Sequence, residues 1–145
     1  MNQLKPTDKT VEVKDVVITC MDHRFQEPIV RFLKDEHEVD INHADRLAIG
    51  GSSKGVIDGT LMPSLKIAYE KHRAEKVWLF DHTDCGGFGG LEAFDRDEEK
   101  EIKAHNDSLA KATEAINKKL PELVVITFVV PLDGKVINAM ADSPE

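Results

Sequence analysis

Cys20 and Cys85 are the two thiols of this chain, and His82 stands three residues before the second of them. Two thiols and one imidazole are borderline-soft donors of the kind that hold zinc, and three protein ligands leave one tetrahedral position open to water or substrate. A purely structural site is more often closed by four. Taken singly these residues have plainer readings, since a strand-end cysteine is commonly a small buried hydrophobe and a lone histidine a core or surface residue. Together they favour a metal, here one Zn2+ per chain. Two further readings stay open: a Cys20–Cys85 disulfide in an oxidising compartment, and a nucleophilic or redox thiol, although the spacing is not that of a C-x-x-C pair.

Asp22 and Arg24 follow Cys20 at steps of two. In an extended segment all three side chains point to one side and His23 to the other. A carboxylate beside a guanidinium stays ionised and oriented. Next to a metal, such a pair can accept a hydrogen bond from bound hydroxide or occupy the open position; elsewhere it is an ordinary ion pair. His23, His43 and His105 are candidate proton carriers, because an imidazole with a reference pKa of about 6.5 exchanges readily at neutral pH, although a plain surface or core role is the commoner use of each.

The elements that must position these residues follow from the hydrophobic pattern. Short β-branched runs alternate with stretches of helical spacing, the signature of βαβ units around a parallel sheet. Val16 to Cys20 is the first strand, and Gln26 to Glu36 a helix that buries Ile29, Val30, Phe32 and Leu33. Arg46 to Ile49 is a short strand that runs into a glycine-rich loop, Gly50 to Gly55. Pro63 suits the first turn of a helix reaching about His72, with Leu65, Ile67, Ala68 and Tyr69 toward the sheet. Lys76 to Asp81 is a strand ending in His82, after which Gly86, Gly87, Gly89 and Gly90 exclude regular structure. Ile102, Leu109, Ala112, Ile116 and Leu120 mark the buried face of a long helix from about Asp97 to Leu120. Pro121 stops it, Leu123 to Val130 is a central strand, and an Asp133-Gly134 turn leads to Lys135 to Met140. The expected fold is therefore α/β, three-layer, with a mostly parallel sheet of four or five strands flanked by helices. Loops at the carboxyl ends of such strands form the ligand crevice. If the first and third strands are neighbours, Cys20, His82 and Cys85 converge there.

Composition narrows the partners. A net charge of -8 should repel phosphate backbones and anionic lipid, so nucleic acid and membrane surfaces are not expected. No apolar run approaches a membrane span, and the start has no secretory h-region, so a soluble, cytoplasmic protein is expected. The 145 residues suit one domain, with an N-terminal segment of about residues 1–13 and a frayed tail at 141–145.

The pattern C-x-D-x-R, followed some sixty residues later by H-x-x-C-G-G, resembles the signature of beta-class carbonic anhydrases: Cys20, Asp22, Arg24, His82, Cys85, Gly86 and Gly87. The Gly50-Gly51 loop and the stretch Val125 to Ile137 extend the likeness over most of the chain. The resemblance implies that Cys20, His82 and Cys85 hold zinc and that Asp22 with Arg24 forms the catalytic dyad gating the fourth position. The implied reaction is reversible hydration of carbon dioxide to bicarbonate, in a homodimer or higher homo-oligomer. A zinc hydrolase of carbon disulfide or carbonyl sulfide shares the pattern, and a non-catalytic zinc domain is the other alternative. Three departures stand out. The chain has no room for the family's long helical arm before the first strand, no glutamine lies between Leu4 and Thr19, and the Gly50-Gly51 loop lacks the flanking arginine and asparagine.

Overall fold

A computed structural model describes residues 5–6 and 11–139. Strands β1 (Asp15–Thr19), β2 (Ala44–Ala48), β3 (Lys76–His82), β4 (Val124–Val130) and β5 (Ile137–Asn138) form one sheet in the order β2-β1-β3-β4-β5. All pairings are parallel except β4 with β5. The helices are α1 (Gln26–His37), α2 (Ser53–Ile57), α3 (Met62–Glu70) and α4 (Glu98–Lys119).

Period-two alternation in the strands separates two cores. Val16, Ile18, Val77, Leu79 and Val129 face Leu65, Leu109, Ala112 and Ile116 on the α3 and α4 side. Val17, Trp78, Phe80, Phe128 and Val130 face Ile29 and Leu33 of α1 on the other. Each fully buried leucine, isoleucine or phenylalanine contributes about 1.5–3 kcal/mol relative to exposure. The three-layer α/β expectation holds, and with it the adjacency of the first and third strands: Ile18 pairs with Leu79. Chain progression reverses direction at that seam, because β1 leads outward to β2 and β3 outward to β4. A crevice opens beyond the carboxyl ends of strands at such a point.

Several boundaries and faces differ from the sequence expectation. The glycine-rich run after β2 already becomes helix at Ser53, so Ser53 to Gly55 belong to α2 and not to a loop. The glycines after His82 admit a short 3-10 turn, Gly86–Phe88, since three-residue hydrogen bonding needs no helix propensity. Helix α3 ends at Glu70, and Ile67 is 53% exposed, because only Leu65 and Ala68 share its inward face. Val30 and Phe32 are partly buried while Ile29 and Leu33 are fully so, the narrower stripe expected of a helix covering one sheet face. Strand β5 spans two residues rather than 135–140, and Met140 with the tail at 141–145 lies outside the described residues. Helix α4 is bounded as expected: Asp97 caps it by accepting from the Glu99 and Lys100 amides, and acidic residues open it where lysines close it. Among the described residues no helix is long and apolar enough to cross a membrane.

Candidate metal centre

Strand ends bring the sequence-derived residues together. Cys20 leaves β1, His82 closes β3, and Cys85 follows on the same loop; one donor atom from each lies within 4.8 Å of the others, and all three residues are buried. The turn that folds Cys85 back beside His82 is made at Asp84, with φ at 53°. A short polar side chain tolerates that left-handed region better than most.

The geometry fits a tetrahedral zinc ion. Two thiolates at about 2.3 Å from one tetrahedral centre lie about 3.8 Å apart, and the Cys20 and Cys85 sulfurs are 3.9 Å apart. Both thiols are free, at a separation that is no disulfide. The His82 ring is fixed from three sides. Its Nδ1 donates to the Thr83 carbonyl at 2.7 Å, the Phe25 ring stacks on it with centroids 4.1 Å apart, and Thr83 is held by Glu98 at 2.7 Å. That tautomer directs a lone pair to Nε2, which is buried and has no hydrogen-bond partner. A buried polar atom without a partner costs about 1–3 kcal/mol, and ligation by a metal removes the deficit.

The thiols show the same fit electrostatically. The Cys85 thiol hydrogen-bonds to Cys20, and with the neighbouring His82 imidazole and then the Asp22 and Gly51 backbone amides it favours a thiolate at Cys20, drawing its pKa down to about 3 against the opposing effect of burial. Cys85 is pushed up, first by that hydrogen bond and then by its own burial. Two thiolates at this distance repel each other, and a cation held between them removes that repulsion.

Asp22 and Arg24 pair as expected, though by a different local route. The chain is not extended past Asp22, for His23–Phe25 form a 3-10 turn that Asp22 caps through the Arg24 amide at 3.0 Å. The guanidinium meets both Asp22 oxygens, at 3.1 Å and 2.7 Å, and reaches back to the Asp84 carboxylate and carbonyl, each at 3.1 Å. Arg24 therefore clasps the two ligand-bearing loops. It also holds the Asp22 carboxyl at about 2, chiefly by its side-chain hydrogen bonds. Asp22 Oδ2 lies 3.9 Å from His82 Nε2.

A cleft of about 470 Å³ opens beside the cluster, lined by Cys20, Met21, Asp22, His23, Arg24, Gly50, Gly86 and Gly87. The three glycines leave its wall without side chains. A larger groove of about 560 Å³, between Lys54, Phe88 and Lys111, is not formed by the cluster residues.

The candidate proton carriers separate. His23 lies at the cleft, its side chain 95% exposed and its Nδ1 4.0 Å from Asp22 Oδ1. His43 stands apart, 3.8 Å from Asp40. His105 is fully buried, with Asp81 and Glu101 oxygens at 2.8 Å and 2.9 Å from its two nitrogens. Residue-by-residue reading missed Asp84, Glu98, Glu101 and Gln26. The last donates to the Cys20 and Asp22 carbonyls, at 2.9 Å each, from the first turn of α1. Their signal is weak in sequence because charged residues in loops and first helical turns are ordinary surface features.

Comparison with known proteins agrees with this geometry. A family model described as "Putative carbonic anhydrase" matches residues 10–140. An uncharacterized protein of Rickettsia conorii is 30% identical over 135 residues, covering 86% of this chain and 71% of the relative; one of Rickettsia bellii is 29% identical over 132 residues, covering 85% and 79%. Among solved structures, a beta-carbonic anhydrase of Trichomonas vaginalis superposes with a TM-score of 0.64 at 15% identity, covering 96% of this chain and 87% of the other. The carbonic anhydrase of Streptococcus mutans gives 0.63 at 16%, covering 89% and 84%. Tetrameric beta-carbonic anhydrases of Sordaria macrospora give 0.62 at 13%, covering 87% and 80%. The chain belongs to the carbonic anhydrase family that matches it, and its fold is that of the beta class.

Proposed function

We propose that this chain is a zinc-dependent carbonic anhydrase that reversibly hydrates carbon dioxide to bicarbonate, with one zinc per chain held by Cys20, His82 and Cys85. The observation carrying the proposal is the buried, unpartnered Nε2 of His82 beside two thiols spaced for one tetrahedral ion. Zinc, when bound, draws the pKa of a coordinated water to about 7 and so supplies hydroxide at neutral pH for attack on a small electrophilic carbon.

The protein's own residues orient and screen that chemistry. Asp22, kept ionised by Arg24, presents a carboxylate oxygen on the cleft side of His82 and acts as an acceptor for the attacking hydroxyl, fixing where its proton points. Arg24 is committed to Asp22 and Asp84, so it holds that carboxylate in place. The glycine wall at Gly50, Gly86 and Gly87, with Met21 at its side, admits a small uncharged molecule and offers it no competing hydrogen-bonding side chain. The proton released to regenerate the site passes to buffer at the exposed His23 imidazole, the one of the three candidates that lies at the cleft. The tetrameric neighbours support a homo-oligomer as the working form, and a cytoplasmic location suits a site that needs both thiols reduced.

The test combines metal content of protein purified without chelator with a carbon dioxide hydration assay of the parent and of Asp22→Ala. One zinc per chain, with hydration falling on the order of 10²-fold or more in the variant, is the expected result. Stoichiometric zinc without hydration would overturn the substrate. Absence of zinc, with both thiols freely alkylated under reducing conditions, would overturn the metal.

A further inference from the structure

Beneath the ligand loop lies a chain of buried polar groups. Glu101 of α4, fully buried, accepts from the backbone amides of Asp84 at 2.7 Å and Cys85 at 3.1 Å, one carboxylate oxygen to each. Its Oε2 is also 2.9 Å from His105 Nε2, one helical turn along. The other nitrogen of His105 meets Asp81 Oδ2 at 2.8 Å, on the residue just before His82. Asp81 then accepts from the Ser53 amide at 3.0 Å and the Ser53 hydroxyl at 2.6 Å, at the start of α2, and that hydroxyl meets Ser108 of α4 at 2.7 Å. The Phe88 ring closes over His105 with centroids 4.1 Å apart.

We infer that Glu101, steadied by His105, is the positioning residue of the Cys85 ligand arm, joining α4 to the ligand loop and, through Asp81, to the end of β3. The inference rests on the zinc reading for its purpose, and on hydrogen bonds alone for its mechanics. Three features support it. A fully buried carboxylate needs several donors to be tolerated, and here two of them are the consecutive amides leading into and including Cys85. One imidazole bridges the two acids that serve the two metal-facing segments of β3 and its loop, so neither can shift without breaking a buried bond. Groups that hold ligands without touching the metal typically carry a 10–100-fold effect on metal affinity. Neither residue faces the cleft, so both position the site and do not take part in the chemistry itself.

Glu101→Gln tests the inference at constant size. A glutamine oxygen can satisfy one of the two amides, and its NH2 group then faces the other donor-to-donor. In the metal-free, reduced full-length chain, the alkylation rate at Cys85, resolved from Cys20 by mass spectrometry, should rise at least tenfold and by several-fold more than the rate at Cys20, whose own change is limited to the loss of its contact with the Cys85 thiol. Zinc affinity, read by competition with a chelator, should fall 10–100-fold, and the cobalt-substituted protein should lose intensity in its thiolate-to-cobalt absorption. His105→Gln should give the same pattern at smaller amplitude. Equal acceleration at both thiols, or none at either, overturns the inference. Should the parent bind neither zinc nor cobalt, the metal reading fails separately, and selective release of Cys85 still upholds Glu101 as the loop's anchor.

Discussion

Replacing Gly87 with alanine puts one methyl group where two loop backbones touch. A Cβ built there would lie 2.6 Å from Gly51 Cα and 2.7 Å from Gly51 N, with Gly50 C at 3.3 Å, against an ordinary contact of 3.4–4 Å. The obstructing atoms are backbone, so no rotamer change relieves them, and the loops must part by about 1 Å to restore normal contact. One of these loops bears Cys85 two residues away; the other supplies the Gly51 amide that bonds the Cys20 sulfur. Overpacking of this kind costs about 1–3 kcal/mol in stability, and misplacement by 1 Å costs on the order of 10²-fold in rate. Gly86→Ala is the matched control, because a Cβ there meets nothing within 4 Å and its φ is not positive; the expected change is under about 0.5 kcal/mol. Thermal unfolding, chelator competition for zinc and the hydration assay measure all three effects. Gly87→Ala melting and binding zinc like the parent, or Gly86→Ala losing as much stability and zinc affinity as Gly87→Ala, would refute the steric reasoning.

Chelation of the zinc-loaded protein should lower the melting temperature. Metal at 100 times its dissociation constant stabilises by about 2.7 kcal/mol, roughly 5–10 °C for a chain of this size, and calorimetry with and without zinc should show it. Arg24→Lys should retain zinc yet lose hydration at least tenfold, because one ammonium cannot make the paired contacts to Asp22 and Asp84. Phe25→Leu should lose less stability than the 3–5 kcal/mol typical of Phe→Ala, yet weaken zinc measurably, since the ring stacked on His82 is gone. The single tyrosine, Tyr69, donates its hydroxyl to Glu122, which raises its pKa above the usual value near 10. Its folded value being the higher one, this contribution to stability is complete below the unfolded pKa and is lost as pH rises through the folded value. An ultraviolet titration should therefore give a midpoint above 10 that Glu122→Gln brings back.

The sequence by itself indicated the main strands, the long helix and the three candidate donors, because hydrophobic period and residue chemistry are local. Val16 to Cys20 and Lys76 to Asp81 read as buried strands from β-branched and aromatic runs, and rules for parallel sheets then suggested that their ends lie side by side, as the pairing of the first and third strands bears out. Cys20, His82 and Cys85 were legible as a set since two thiols at loop positions with a nearby histidine have few competing uses. What supports that set was not legible. The buried stripe of α4, traced back from Ile116, Ala112 and Leu109, arrives at His105 and Glu101, yet an expectation of apolar residues on that stripe chose Ile102 instead. Whether a buried acid is a fault or an anchor depends on which amides face it, and those belong to Asp84 and Cys85, on a loop whose path only the folded chain fixes. The same holds for the meeting of Gly51 with Gly87 and for Arg24 reaching Asp84. Such contacts join residues far apart along the chain through side-chain and backbone directions that no local periodicity encodes, and packing of the three layers sets them.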